Sequence, residues 1–184
     1  MKRLILAITG ASGACYAKRL FDVLKDRSEL HVVISDRGIE LLKLELGLKT
    51  SYFSGENVTL YKNSKINTCI ASGSFHTDGM VIVPASMGTV GRIASGVSTT
   101  MVERAADVIL KEKRKLIIVP RETPFSTIHL KNLLALDQAG AHILPASPGF
   151  YSGQKTFEDL VDFVVARILD QLNIEQGLMD PYQG

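Results

Sequence analysis

The sequence has little of what several protein classes require. Its 184 residues carry 21 basic and 19 acidic side chains, a formal charge of +2. No stretch alternates basic with aromatic residues, so a nucleic-acid surface built on phosphate contacts and base stacking is excluded. Any anion chemistry must therefore be local. Only two cysteines occur, Cys15 and Cys69, far apart and among apolar or small residues. That excludes a disulfide framework or a zinc-cysteine site and predicts two buried, reduced thiols in a cytoplasmic protein. The four histidines, His31, His76, His129 and His142, lack metal-ligand spacing, and no Ser/His/Asp or Cys/His arrangement follows from their order. No apolar run approaches membrane-spanning length. The opening MKRLILAITG stops at Thr9-Gly10 without a cleavage site and reads as a first strand of a soluble protein.

What is present is alternation. With 46% hydrophobic residues the chain can bury one sizeable core. Short apolar runs at 4–8, 30–34, 80–84, 115–119 and 141–144 predict strands, and amphipathic stretches at 15–25, 38–46, 100–112, 127–139 and 156–172 predict helices. Right-handed crossovers stack such units into an α/β fold: a Rossmann-like, doubly wound parallel sheet in three α/β/α layers, one domain over residues 1–184 with a tail from 172. The region 48–79 predicts a short strand near 58–61 inside a mobile, polar insertion, and the chain after Gln176 is expected to be loose. Thr156 and Asp159 have capping-box spacing, which makes Glu158, Asp159 and Asp162 helix-end and surface charges rather than a magnesium-binding aspartate motif.

The most informative stretch is KLIIVPRETP, residues 115–124. In an open parallel sheet ligands bind beyond the carboxyl ends of strands, and Pro120 and Pro124 restrict the backbone around Arg121 and Glu122. The arginine suggests an anionic ligand and the carboxylate suggests proton handling. The first strand runs into Gly10-Ala11-Ser12-Gly13 and then a helix, a layout that can cradle phosphate on free amides and a hydroxyl; ordinary tight turns use the same residues. It is neither the three-glycine dinucleotide fingerprint nor a Walker loop. A second loop after the 80–84 strand holds Ser86, Met87, Gly88 and Thr89, and Ser35 ends the second strand. Together with Arg121 these positions can ring one phosphorylated, planar ligand. Tyr151 follows a rigid Pro-Ala-Ser-Pro-Gly loop, Lys111 lies at a helix end in LKEKRK, and Arg167 sits among apolar residues in the last helix. Each has a structural reading as well: a satisfied core tyrosine, a dipole-stabilised surface lysine, an arginine reaching solvent.

Read together, ITGASGA, ERAADVILKE, LIIVPRETPFSTIHLKNLL and GAHILPASPGFY followed by FEDLVDFVVARILD resemble the flavin prenyltransferases of the UbiX type, related to the phenylacrylic acid decarboxylase-associated proteins. The resemblance implies an FMN-binding fold and a metal-independent reaction in which dimethylallyl monophosphate is joined to N5 and C6 of reduced FMN. The product, prenylated FMN, would serve UbiD-type decarboxylases. It implies FMN contacts from Gly10, Ala11, Ser12, Ser35, Ser86, Met87, Gly88, Thr89 and Arg121. It also implies a prenyl-phosphate site of Lys111, Tyr151 and Arg167, catalytic carboxylates Glu45 and Glu122, and a homododecamer with sites at subunit junctions.

The chemistry agrees with those residue types. A monophosphate leaves poorly, so clustered cations and a donor must take up its charge, and a nearby carboxylate or the released phosphate must accept protons as the ring closes. Two positions depart from the family pattern: Thr99-Thr100 stand where relatives often carry asparagine, and Tyr182 where tryptophan is expected. Two other readings are a flavin-dependent cysteine decarboxylase and a non-catalytic FMN-binding protein. Met87-Gly88 in place of Ala-Asn argues against the first; the set Glu45, Glu122, Lys111 and Tyr151 argues against the second.

Overall fold

A computed structural model describes residues 1–151 and 153–180. Among them six strands form one all-parallel sheet: β1 (Lys2–Ile8), β2 (Ser28–Ile34), β3 (Val58–Lys62), β4 (Gly79–Ala85), β5 (Lys115–Pro120) and β6 (Ala141–Ile143), in the order β3-β2-β1-β4-β5-β6. The chain winds outward from β1 to β3, returns to place β4 against β1, and winds outward the other way. The direction reverses between β1 and β4. A doubly wound sheet opens its crevice at the carboxyl ends of such a pair.

Six helices cover both faces: α1 (Ala14–Leu24), α2 (Asp36–Leu46), α3 (Met87–Ala94), α4 (Met101–Lys111), α5 (Thr127–Gln138) and α6 (Phe157–Gln171). The strand pleat decides which residues meet which helices. Leu4, Leu6 and Ile8 of β1 pack with Leu20, Phe21 and Leu24 of α1, Leu42 of α2 and Val164, Ile168 and Leu169 of α6. Ile5 and Ala7 point the other way, onto Val90 of α3, Met101, Ala105 and Ile109 of α4 and Leu133 and Leu136 of α5. Both faces are buried, which is why the central strands are apolar throughout instead of alternating. Each fully buried leucine or phenylalanine contributes about 1.5–3 kcal/mol from area removed from water.

Four strand-to-helix junctions are closed by hydroxyl caps. Ser35, Ser86, Ser126 and Thr156 each accept from the backbone amide three residues on, satisfying a donor that the first helical turn leaves open. Thr156 and Asp159 form the capping box their spacing predicts.

Five expectations need correction. The loop at 86–89 is the cap and first turn of α3; Gly88 and Gly91 obscured a helix that lasts only eight residues. The 48–79 region is docked rather than mobile: Phe53 and Ile70 are buried, and the Phe53 ring meets Phe21 edge-on at 4.9 Å. Residues 177–179 are held as well, since the Gln176 side chain accepts from Leu178 and Met179 amides and Leu178 packs on the core. Residues 181–184, including Tyr182, lie outside the described residues. The thiols differ from the buried pair expected: Cys15 is half-buried and Cys69 is exposed beside the Tyr61 hydroxyl at 3.1 Å. Asp162 is not merely a solvated charge either; both its oxygens accept from Arg19 (2.5 and 2.9 Å), tying α6 to α1.

Candidate functional site

The β1–β4 crevice is stitched by Thr9, a fully buried residue one position past β1. Its hydroxyl donates to Pro84 O (2.7 Å) and accepts from Ser86 N (2.8 Å). Both hydrogen-bonding capacities are thus used to lock the β1 loop to the β4 end, leaving Gly10, Ala11, Ser12 and Ser86 to line the opening. Gly10 must be glycine for a packing reason: a Cβ there would lie 2.3 Å from Arg37 Cβ at the start of α2. Ala11 is buried and Ser12 exposed.

Arg121 leaves β5 at the same edge. Its amide donates to Ala85 O (3.4 Å), and its Nε donates to Ser12 O (3.2 Å), so one side chain joins the β5, β4 and β1 ends. One face of the guanidinium is thereby fixed and its remaining donors stay available. Glu122, half-buried, accepts from the Thr123 amide at 3.1 Å. Of the two charges that the prolines flank, Arg121 is tied to the β1 loop and Glu122 bonds only to its own neighbour.

Glu45 arrives from the far end of α2. Its carboxylate accepts from Gly13 N (3.0 and 3.3 Å) and Ala14 N (2.8 Å), the first amides of α1. Gly13, at φ 113°, offers no side-chain cap of its own, so a residue 32 positions downstream supplies the negative charge that a helix start favours. A carboxylate that resemblance alone assigned to chemistry is thus anchored directly on the glycine loop. Ser35, Ser86, Met87, Gly88 and Thr89 follow β2 and β4 at the same carboxyl edge, with Met87 and Thr89 buried and Gly88 open.

Of the remaining candidates, the single chain brings the loop carrying Tyr151 to this edge, since it follows β6 and Ala146 N donates to Pro120 O (3.1 Å), but it keeps Lys111 away and pairs Arg167 on α6. Lys111 ends α4 four residues before β5 begins, at the amino side of the sheet, where it donates to Glu112 at 2.8 Å. The six residues of β5 put about 20 Å of sheet between it and Arg121. Arg167 is exposed on α6, paired with Asp170 at 2.7 Å, and lines a cavity of about 400 Å³ with His142, Pro145 and Phe163. Tyr151 is exposed in the loop after β6, its ring edge-on to Phe163 at 5.9 Å.

Sequence reading missed a network behind the rim. Glu103, the one buried acidic residue among the described residues, accepts from Arg92 Nε and from Thr99 N, Thr99 Oγ1 and Thr100 N, the last three all at 2.9 Å. Burial pushes the Glu103 carboxyl up, and the hydrogen bonds from Arg92, Thr99 and Thr100 outweigh it, holding the group below the usual carboxylate range. Its signal was a capping-box spacing, Thr100 to Glu103, hidden inside the ERAADV motif.

Comparison with known proteins fits this arrangement. The family model described as Flavoprotein matches residues 1–169. A flavin prenyltransferase UbiX of Methanocaldococcus jannaschii is 44% identical over 176 residues, covering 96% of each chain. Among solved structures, a dodecameric FMN-dependent UbiX-like decarboxylase of Escherichia coli O157:H7 superposes with a TM-score of 0.95 at 40% identity, covering 99% of this chain and all of that one. AnUbiX (PadA1), solved with FMN and dimethylallyl pyrophosphate, superposes with a TM-score of 0.96 at 37% identity over all of this chain and 98% of that one. By family match, identity and fold, the chain belongs to the flavoprotein family and, within it, to the flavin prenyltransferases of the UbiX type.

Proposed function

We propose that this protein is a flavin prenyltransferase that binds reduced FMN in the β1–β4 crevice and transfers to it a dimethylallyl group from dimethylallyl monophosphate. The observation that carries the reading is Glu45 seated on the Gly13 and Ala14 amides, beside an arginine bonded to the same loop. Flavin binding alone would need the glycine loop and the hydroxyls, but not a carboxylate held there. The residues fit FMN: hydroxyls at Ser12, Ser35 and Ser86, the Met87 and Gly88 amides opening α3, the Arg121 cation, and a wall of Ala11 and Met87 against which a planar ring can pack.

When bound, reduced FMN supplies N5 and C6 as the two positions that receive the prenyl carbons, giving the prenylated FMN that UbiD-type decarboxylases use. The protein's own groups do the rest. Arg121 orients the flavin nucleotide from the β5 end. Lys111, Tyr151 and Arg167 take up charge on the departing phosphate, which fixed cations and donors do most effectively where water is excluded. Glu122 exchanges protons around that phosphate, and Glu45, anchored on the Gly13 and Ala14 amides, accepts the proton released as the fourth ring closes. No step draws on a metal ion.

Lys111 and Arg167 reach the crevice from neighbouring copies, so the cytoplasmic enzyme is a homo-oligomer, a dodecamer by analogy, with sites at its junctions. Exposed apolar side chains support this: Ile128, Leu130 and Leu134 on α5, Leu44 beside Glu45, and Phe150 and Phe157 flanking the Tyr151 loop. Apolar surface gathered near a proposed junction marks an interaction site.

The test is an anaerobic incubation with reduced FMN and dimethylallyl monophosphate in the presence of a chelator. Flavin heavier by one prenyl unit is expected by mass spectrometry. FMN that binds and stays unmodified would favour a binding protein instead.

A further inference from the structure

We infer that Arg92, clamped by the buried Glu103, is a positioning residue that orients the Thr89 and Ser86 hydroxyls so that Ser86 presents its proton to an acceptor oxygen of bound FMN. The inference deepens the reading above and rests on its FMN site, though not on the transfer chemistry.

The argument is a count of donors and acceptors. Glu103 is 1% exposed, and a buried carboxylate must be paired and hydrogen-bonded to be tolerated. Three of its contacts come from the α3–α4 loop, at Thr99 and Thr100, and the fourth is Arg92 Nε. The Thr99-Thr100 pair that departs from the family pattern is therefore what anchors this carboxylate. A guanidinium is planar, has no acceptor, and cannot lose its proton. With Nε held by Glu103, the plane of Arg92 is set, and Nη2 points at Thr89 Oγ1, 3.3 Å away.

From there the hydrogen bonds can be given a direction. Thr89 Oγ1 accepts from Arg92, and its other side-chain partner is Ser86 Oγ at 3.0 Å, a pair in which either hydroxyl could donate. Because Thr89 is buried, its hydrogen needs an acceptor, and we assign it to Ser86 Oγ. Ser86 Oγ already accepts from the Thr89 amide at 3.4 Å. A hydroxyl has two lone pairs and one hydrogen, so both acceptor sites of Ser86 are filled. Its hydrogen must leave the network. Thr89 is buried, whereas Ser86 is half-buried at the carboxyl end of β4, facing the crevice that Thr9 locks open. A cation at one end of a hydroxyl chain polarises it in one direction, which makes Ser86 a committed donor. Arg92 acts without touching the ligand.

The experiment is a fluorescence titration of FMN against the full-length protein and its variants, with thermal denaturation alongside. Arg92→Ala and Thr89→Val should each weaken FMN binding about tenfold, the scale of one hydrogen bond to a charged group. The double variant should be no weaker than either single one, because both break the same chain. Thr89→Ser, which keeps the hydroxyl, should bind and melt like the wild type, whereas Arg92→Ala, which leaves buried Glu103 without its cation, should also melt lower. Arg92→Lys keeps the charge but cannot hold Glu103 and Thr89 at once, so it should fall with Arg92→Ala and serves if that variant does not fold. Wild-type affinity in Arg92→Lys, or losses that multiply to about a hundredfold in the double variant, would overturn the inference. Wild-type protein that binds FMN without transferring a prenyl group refutes the proposed function and leaves this inference standing. Protein that binds no FMN removes both.

Discussion

At the scale of single residues, Arg121 and Glu122 are neighbours with separable duties. Arg121 is bonded to the loop that would hold FMN, while Glu122 bonds only locally. Arg121→Ala is expected to weaken FMN retention by tenfold or more, read by dialysis or titration, because a charge-assisted contact is lost. Glu122→Gln is expected to keep that affinity and slow transfer in single-turnover mass measurements. Equal loss of binding in both variants would show the pair acting as one. Glu45→Gln separates two effects of one carboxylate. It should retain FMN yet suppress product, and it should also cost about 1 kcal/mol in urea denaturation, because an amide is a weaker cap for the α1 amides than a carboxylate. Arg121 was legible in the sequence because a charge directly after an apolar strand has few places to go. Glu45 was not. Its partners lie 31 and 32 residues away, and only the resemblance pointed to it.

At the scale of elements, helix α2 positions two ends of the site at once, Ser35 at its cap and Glu45 in its last turn. Its seating depends on Gly38, where a Cβ would stand 2.7 Å from Ile8 O, a backbone atom of the central strand that cannot swing aside. Gly38→Ala should therefore displace the whole helix, destabilise the fold by about 1–3 kcal/mol, and lower FMN affinity even though residue 38 touches no ligand. A change in stability without a change in affinity would show that α2 shifts without moving the site.

The β2–β3 side carries a different liability. His31 is buried, its ring between the Tyr61 hydroxyl (2.8 Å), Glu29 (3.1 Å) and the edge of Phe75, with Arg3 over the Phe75 face. Burial pushes its imidazole below the ordinary range, against the pull of Glu29. The unfolded chain therefore takes up this proton first, near pH 6.5, and stability falls as pH drops from there toward the folded-state value. Urea midpoints measured from pH 7.5 to 5 should decline in the wild type and decline less in His31→Gln. Strand and long-helix periodicity made most elements readable. Helix α3 was missed because eight residues with two internal glycines carry too little pattern to separate a helix from a loop.

At the scale of the whole molecule, the doubly wound order was foreseeable because parallel crossovers leave few alternatives, and the carboxyl edge that collects Gly10, Ser35, Ser86 and Arg121 follows from that order alone. The other half of the proposed site does not follow from it. Lys111 stands at the opposite end of β5 from Arg121, a separation no side-chain rotation within one chain can close. If the two serve one reaction, they come from different copies, and that assembly can be tested by complementation. Assayed at an FMN concentration that saturates the wild type but not Arg121→Ala, Lys111→Ala and Arg121→Ala should each show little activity alone. Denatured together in equal amounts and refolded, they should regain activity, since a site formed by a Lys111 from one copy and an Arg121 from another is intact whenever the first copy is the Arg121 variant and the second the Lys111 variant. Random assembly makes that about a quarter of all sites in a closed ring of identical junctions, so product yield should return to about a quarter of the wild-type value. Simple mixing without refolding should recover nothing if the assembly is long-lived. No recovery from a mixture that has reassembled to full size would mean that both residues must come from the same chain, and Lys111 would then have to leave the site.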